Sequence, residues 1–308
     1  MDNTEALPLS QRTENERLMR LASYLSLSLA LILVGMKFYA WVQSNSVSLL
    51  SSLLDSGLDV GASFVNLLAI RHALMPADRE HRFGHGKAEP LAGLIQVTLI
   101  LGSAIYLFYE AIDHFLHPSE IKALDIGIVV LLIAIAATGI LVVFQRYVVR
   151  KTGSVAISAD SAHYAGDFIV NGGAAIALIA VKQGGWYWAD PLIGLATATY
   201  IAYMAFRIGK VSWDMLMDKE LDDNERNNIK AIINNHKDVI AIHDLRTRCS
   251  GQDYFIQFHL ELNGNMTLLE AHRISDEVEA DLWKEYPGAE IIIHQDPHGV
   301  EEFIPKYR

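Results

Sequence analysis

The chain has almost no cysteine and too few basic residues to balance its acidic ones. A single cysteine, Cys249, among 308 residues excludes an intramolecular disulfide and a CxxC metal-binding pair. The formal net charge of −11 argues against nucleic-acid binding, because such proteins present a basic face to phosphates. The sequence contains neither HExxH nor GxSxG, which are signatures of hydrolases. These absences argue against a disulfide scaffold, a nucleic-acid-binding protein and a hydrolase.

Apolar residues are present in excess. They make up 51% of the chain, and the mean hydropathy is +0.21. This is too apolar for an ordinary soluble protein of this length and too polar for a membrane bundle alone, so we expect a membrane part and a polar domain. The apolar run after the polar N-terminus is too long for a signal-peptide core and has no clear cleavage site, so we keep it in the mature protein.

Six apolar segments approach the length of about 20 residues that a membrane-spanning helix needs. They are Leu21–Val42, Val47–Leu74, Pro90–Phe115, Leu124–Val148, Ala156–Val181 and Trp188–Val211. Basic residues are concentrated before the first segment, in the second and fourth joints, and after the sixth segment. They are Arg12, Arg17, Arg20, Arg71, Arg79, Arg82, Lys87, Arg146, Arg150, Lys151, Arg207 and Lys210. The third and fifth joints have only Lys122 and Lys182, so both termini are predicted to be cytoplasmic.

Two of these segments carry acidic residues or a histidine within an apolar run. Asp55 and Asp59 are four residues apart on the second, and His163 and Asp167 are four apart on the fifth. Each pair shares one helix face, and the predicted orientation places both pairs near the bilayer midplane. Three carboxylates and one imidazole suit tetrahedral Zn²⁺, which predicts a metal site; two separate polar pairs in helix packing are the alternative. Asp160, near the cytoplasmic end, is expected to be exposed.

The joint after the second segment, MPADREHRFGHGKAEP, contains a second candidate metal site. Asp78, His81 and His85 offer one carboxylate and two imidazoles, which can bind Zn²⁺ with a water or a fourth donor. A solvated loop is the alternative. The same joint supplies Lys87, for which Asp218, beyond the sixth segment, is a candidate partner.

From about residue 219 the chain becomes acidic, with 18 acidic and 10 basic residues over 219–308. Its pattern predicts a helix, two strands, a helix and a strand. They are Leu221–His236, Val239–Arg248, Tyr254–Leu262, Thr267–Lys284 and Ala289–His294. Thr267 and Glu270 form a capping-box pattern. The order α-β-β-α-β predicts an α+β domain with its helices on one face of the sheet.

Six of the twelve histidines fall in this acidic part of the chain. They are His236, His243, His259, His272, His294 and His298. His243 and His259 lie on neighbouring predicted strands, and His294 is two residues before Asp296 at a strand end. This pattern favours metal binding, although six scattered surface histidines are the alternative.

Together, DxxxD on the second segment, HxxxD on the fifth and the α-β-β-α-β tail resemble the cation diffusion facilitator family. The stretches SVSLLSSLLDSGLD, PADREHRFGHGKAEPLA, IHDLRTR and IIIHQDP look most like its bacterial YiiP-type zinc and iron efflux branch. The resemblance covers almost the whole chain. It departs at Ala162, where relatives have a bulkier apolar residue thought to help gate the site.

The resemblance implies a six-helix, all-α transmembrane bundle followed by a cytosolic α+β domain of ferredoxin or metallochaperone type, in a homodimer. It implies a transport site at Asp55, Asp59, His163 and Asp167, a loop site at Asp78, His81 and His85, and a binuclear tail site at His243, His259, His272, His294 and Asp296. It further implies an inter-subunit salt bridge between Lys87 and Asp218. The expected division is a cytosolic segment at 1–20, the membrane domain at 21–211 and the cytosolic metal-binding domain at 212–308.

The expected function is efflux of a divalent cation, Zn²⁺ first and also Cd²⁺ or Fe²⁺, by metal/proton antiport with alternating access. Zn²⁺ would be both transported and structural, and the expected location is the bacterial inner membrane. No enzymatic activity and no nucleic-acid partner are expected. A membrane-anchored metal sensor is the alternative from another class, an intramembrane hydrolase is disfavoured, and a passive channel is the rival among transporters.

Overall fold

A computed structural model describes the backbone of residues 6–44, 47–116, 125–184 and 188–300. Within the helices, side chains are left undescribed at residues 6–11, 44, 47–52, 55, 125–131, 174, 177–184 and 189–190. The chain divides into two compact units. One is Asn15–Leu216, and the other joins Met1–Glu14 with Met217–Arg308.

Long helices build the first unit. They are α1 (Ala6–Ser44), α2 (Val47–Ala73), α3 (Ala88–Leu116), α4 (Asp125–Thr152), α5 (Val155–Gly184) and α6 (Ala189–Leu216). Each contains most of one predicted apolar segment. A cluster of buried apolar residues joins α3, α5 and α6 through Val97, Ala159 and Ile201, among others. Small residues at these contacts let the helices approach closely.

The surface of this helical unit is apolar, while polar groups are buried inside it. Ile105, Ile140, Val143 and Phe206 each expose at least 70% of their surface. In water such a surface would be costly, whereas in lipid it is expected. Within the described residues, four helical stretches have the length and apolar composition to cross a membrane: Arg12–Gln43, Ala88–Leu116, Leu132–Thr152 and Pro191–Leu216. The helices that carry the predicted polar pairs, α2 and α5, are not among these four.

The second unit has the predicted order of elements. It contains α7 (Asp223–Asn234), β1 (Ala241–Ser250), β2 (Asp253–Leu262), α8 (Leu268–Glu285) and β3 (Glu290–Pro297). The sheet has the order β1-β2-β3, with β1 antiparallel and β3 parallel to β2. Because β2 and β3 are parallel, α8 forms the crossover between them.

Alternation along β2 decides which side of the sheet is the core. Ile256, Phe258 and Leu260 are at most 2% exposed and pack in a cluster with residues of α7 and α8. The intervening residues, among them His259, therefore point to the other face. At the start of α8 the predicted capping box is confirmed, because Thr267 accepts from the Glu270 backbone N–H and Glu270 accepts from that of Thr267.

Candidate metal centre

The structure brings together three of the four residues predicted for the intramembrane site. The Nε2 atom of His163 lies 3.0 Å from Oδ1 of Asp59 and 3.8 Å from Oδ2 of Asp167. One donor atom from each residue lies within 4.8 Å of the other two. His163 and Asp167 share a face of α5 because they are four residues apart, and Asp59 faces them from α2. Two carboxylates and an imidazole thus converge between two helices.

Asp55, the fourth predicted ligand, lies one helical turn before Asp59 on α2. Its side chain is outside the described part of the structure. The backbone alone places it on the same face of α2 as Asp59, so its participation stays a prediction.

Two polar neighbours of this site, one on α1 and one on α5, were not predicted from the sequence. The Lys37 ammonium of α1 donates to the Ser56 hydroxyl at 2.6 Å, between the positions of Asp55 and Asp59 on α2. Tyr164, next to His163, is 1% exposed, and its hydroxyl lies 2.8 Å from that of Ser63. A lysine inside the apolar run of α1 was the signal that could have indicated the first contact.

The expectation that Asp160 is exposed was wrong, because its side chain is completely buried. Its carboxylate accepts from Ser26 of α1, from Gln145 of α4 at 2.7 Å and from Gln96 of α3 at 3.5 Å. The reason lies in the helical period: Asp160 and Asp167 are seven residues, or about two turns, apart and so share the inward face of α5. Proximity to a helix end was the weaker criterion.

The loop between α2 and α3 brings Asp78, His81 and His85 together. Oδ1 of Asp78 lies 3.5 Å from Nδ1 of His81, and Oδ2 lies 3.4 Å from Nε2 of His85. Backbone N–H groups hold the carboxylate, with His81 donating at 2.6 Å and Glu80 at 2.9 Å. These contacts, the His81 N–H first, lower the pKa of Asp78 below its ordinary value. An ionised carboxylate beside two imidazoles is a set that can hold Zn²⁺.

The sheet of the second unit gathers a third group on the face opposite its helices. His243 and His259 are directly paired across β1 and β2, and His259 is paired with His294 across β2 and β3. Oδ2 of Asp296 lies 2.7 Å from Nδ1 of His259 and 3.5 Å from Nε2 of His243. Nε2 of His294 lies 3.2 Å from Oδ1 of Asp296. Strand pairing therefore brings together four of the five residues predicted for the tail site, with three imidazoles in contact with the Asp296 carboxylate.

His272 is not brought to this group within one chain. It lies on α8, whose packing places it on the other side of the sheet, and its Nδ1 lies 3.6 Å from Asp276 in an exposed position. Conversely, one neighbour of the group, Glu261, was not predicted from the sequence. Glu261 lies 3.2 Å from Nδ1 of His243 and 2.9 Å from Nδ1 of His298. Alternation along β2, which puts Glu261 on the face of His259, could have indicated it.

Within the described residues, Lys87 and Asp218 each contact a different group from the one predicted. Asp218 forms an ion pair with Arg248 at 3.2 Å. The Lys87 ammonium lies 3.4 Å from the Leu216 carbonyl oxygen. A salt bridge between Lys87 and Asp218 of different subunits would have to replace or share these contacts.

Comparison with known proteins places both parts of the chain in one family. Residues 23–217 match the cation efflux transmembrane domain, and residues 221–298 match the cation efflux protein cytoplasmic domain. The cation-efflux pump FieF of Klebsiella pneumoniae is 45% identical over 92% of this chain and 94% of its own length. The FieF pumps of Shewanella oneidensis (44%, over 95% of this chain and 99% of the relative) and Yersinia enterocolitica (47%, 95% and 96%) are similar.

Solved structures resemble part of the chain. The zinc form of the putative zinc transporter CzrB is 34% identical, with a TM-score of 0.26, over 28% of this chain and 99% of that one. The metal-bound C-terminal domain of the CzcD transporter from Thermotoga maritima is 26% identical, with a TM-score of 0.25, over 27% of this chain and all of that one. The matched domains and the full-length relatives decide the assignment: the chain belongs to the cation efflux, or cation diffusion facilitator, family of multi-pass membrane transporters.

Proposed function

We propose that this transporter exports Zn²⁺ from the cytoplasm in exchange for protons, with Asp55, Asp59, His163 and Asp167 as the site that carries the ion. The convergence of Asp59, His163 and Asp167 inside the helical unit is the observation that supports it. Ionisable groups are costly in lipid, so such a group of them is expected only where it has a function. Helix packing alone does not require two carboxylates to lie against one imidazole.

The donor set supports Zn²⁺ as the principal cargo. Oxygen and imidazole donors in a group of four suit tetrahedral Zn²⁺. Cd²⁺ and Fe²⁺ are further substrates on the same chemistry, whereas His163 disfavours Mn²⁺ relative to an all-carboxylate site. Cation-efflux pumps at 44–47% identity agree with this class of cargo.

Proton exchange follows because each ligand must lose its proton before it can bind the metal. A metal binds neutral imidazole and ionised carboxylate, so loading the site from the cytoplasm releases protons. Without metal, the clustered carboxylates repel one another, and protons replace the cation after it has left on the outer side. Rocking of the helices between inward-open and outward-open states completes the cycle.

The loop and tail groups complete the proposal as metal sites outside the bilayer. Zn²⁺ at Asp78, His81 and His85 would tie the loop together. Zn²⁺ at the tail group of His243, His259, His294 and Asp296, with His272, would stiffen a homodimer and report cytosolic metal. Lys87 and Asp218 would link the subunits. Residues 1–20 and 212–308 would be cytoplasmic, with six spans crossing the inner membrane between them.

Proton release on metal binding tests the coupling. We would add Zn²⁺ to detergent-solubilised full-length protein in weak buffer, in a background carrying Asp78→Ala and His259→Ala to silence the other two groups. The proposal expects proton release that Asp59→Asn removes together with Zn²⁺ binding. His114→Ala, which changes a half-exposed histidine beside Glu110, is the matched control. Zn²⁺ binding without proton release would refute antiport by this site.

A further inference from the structure

A third histidine stands beside the loop group. His72 lies in the last turn of α2, and its ring centroid is 4.6 Å from that of His85, at an interplanar angle of 70°. The ring centroid of His81 also lies 4.6 Å from that of His85. His85 thus has two neighbouring imidazole rings, those of His72 and His81.

The distance between the ring centroids of His72 and His85 is typical of two imidazoles that bind one metal ion. With a Zn–N distance of about 2.0–2.1 Å, two imidazoles on one tetrahedral ion have ring centroids about 5 Å apart. In the tail group, where strand pairing brings the histidines together, the corresponding separations are 4.9 Å for His243 and His259 and 4.6 Å for His259 and His294. The separation between His72 and His85 falls in the same range.

The state of His85 is an independent indication of a ligand. Its side chain is 3% exposed, and its buried Nδ1 atom has no hydrogen-bond partner among the described residues. Its Nε2 atom faces Asp78. A buried imidazole is normally fixed through both nitrogens. The unpartnered Nδ1 atom of His85 and the neighbouring ring of His72 together indicate that these histidines bind a ligand and do not only pack against each other.

We propose that His72 is a fourth ligand of the loop metal site, with Asp78, His81 and His85. The inference rests on the loop site proposed above and adds a residue to it. The exposed ring of His72 meets His85 edge-on, and rotation about its Cβ–Cγ bond, a broad torsion for histidine, presents a nitrogen to the group.

A fourth protein ligand changes what the loop site does. Three protein ligands leave a position open for water or exchange, whereas four close the coordination sphere, as in structural zinc sites. His72 lies in the last turn of α2, which ends at Ala73, and its carbonyl accepts from the Met75 N–H at 3.0 Å. Zn²⁺ held by His72 therefore ties the loop to the end of α2 and stays with the protein rather than passing along the transport path.

Co²⁺ bound in place of Zn²⁺ tests this, because a tetrahedral Co²⁺ site absorbs visible light more strongly than a site of higher coordination number. The full-length protein would carry Asp59→Ala and His259→Ala, leaving the loop group intact. His72→Phe keeps a ring beside His85 and removes the nitrogens. We expect it to weaken the Co²⁺ band and to lower Zn²⁺ affinity about tenfold or more, while His114→Phe, at the end of α3, changes neither.

X-ray absorption on the Zn²⁺-loaded protein supplies the second readout. It should count three imidazoles when His72 is present and two in His72→Phe; the first count stands even when the variant fails to fold. Two imidazoles with His72 present, or an unchanged band and affinity in His72→Phe, overturn the role of His72 and leave the loop site standing. No metal in the loop background, or binding that survives Asp78→Ala, overturns the loop site itself.

Discussion

Asp160 collects hydrogen bonds from three other helices inside the helical unit. Ser26, Gln145 and Gln96 donate to it, and the first two are, like Asp160, fully buried. Asp160 also lies one turn before His163 on α5. Its network therefore fixes the part of α5 that presents the imidazole to Asp59, and a change there should act on folding before it acts on metal.

Truncating Asp160 should destabilise the helical unit more than neutralising it. Asp160→Ala leaves the Ser26 hydroxyl and one amide N–H of Gln145 without their acceptor, although Gln145 still donates to Ser26 at 2.8 Å. Each unsatisfied group costs about 1–3 kcal/mol. Asp160→Asn retains one oxygen and should cost less. Thermal unfolding in detergent measures both, with Glu110→Ala, at a half-exposed position on α3, as control. Equal stability of Asp160→Ala and wild type would contradict the structural role.

At the scale of elements, the start of α8 depends on two reciprocal contacts. The N–H of Thr267 donates to Glu270 at 2.7 Å, and the N–H of Glu270 donates to the Thr267 hydroxyl at 3.3 Å. The Thr267 N–H, followed by its hydroxyl, lowers the pKa of Glu270 below its ordinary value of 4.5. Since the folded pKa is the lower one, this contribution is present above about pH 4.5 and is lost as the pH falls further.

Thr267→Ala should therefore loosen α8 in a pH-dependent way. Loss of the cap costs about 1 kcal/mol, which corresponds to roughly fivefold faster opening. Hydrogen exchange of the α8 amides in the full-length protein, corrected for intrinsic rates, measures this at pH 7. Near pH 4 the difference from wild type should shrink as Glu270 becomes protonated. An equal difference at both pH values would show that Glu270 takes no part.

Close packing of α3 against α6 supports a second prediction at this scale. A Cβ built on Gly194 of α6 would lie 3.0 Å from the Ala111 Cβ of α3, whereas one built on Gly102 of α3 would meet no atom of the described residues within 4 Å. Gly194→Val should therefore lower stability by about 1–3 kcal/mol through overpacking. Gly102→Val, a matched change at an open position, should not. Equal melting temperatures of the two variants in detergent would refute close packing at Gly194.

At the scale of the molecule, patterns of local period were enough to predict the elements but not their contacts. The alternation Ile256, Phe258, Leu260 predicted β2 and its buried face because one side of the sheet is covered by helices. The irregularity between His243 and Arg246, where Asp244 has a φ of 46°, had no such signal. It arises from strand pairing, which no single strand encodes.

The candidate sites show the same limit. Asp59, His163 and Asp167 were predictable because a carboxylate in an apolar run is conspicuous and the i, i+4 spacing fixes its face. The burial of Asp160 and the contact of Lys37 with Ser56 depend on how α1, α4 and α5 pack, and so were not predictable from one segment. His72 belongs to this class too, because its neighbour His85 follows thirteen residues later on a loop.

The most direct test of the account is Zn²⁺ uptake into proteoliposomes, measured with and without a pH gradient for wild type, Asp59→Ala and Asp113→Ala. Asp113 lies on α3 outside the candidate site and serves as the carboxylate control. The account predicts gradient-driven uptake in wild type and Asp113→Ala, and its loss in Asp59→Ala. Equal uptake by Asp59→Ala and wild type would mean that the cluster around His163 does not carry the ion, and would contradict the account.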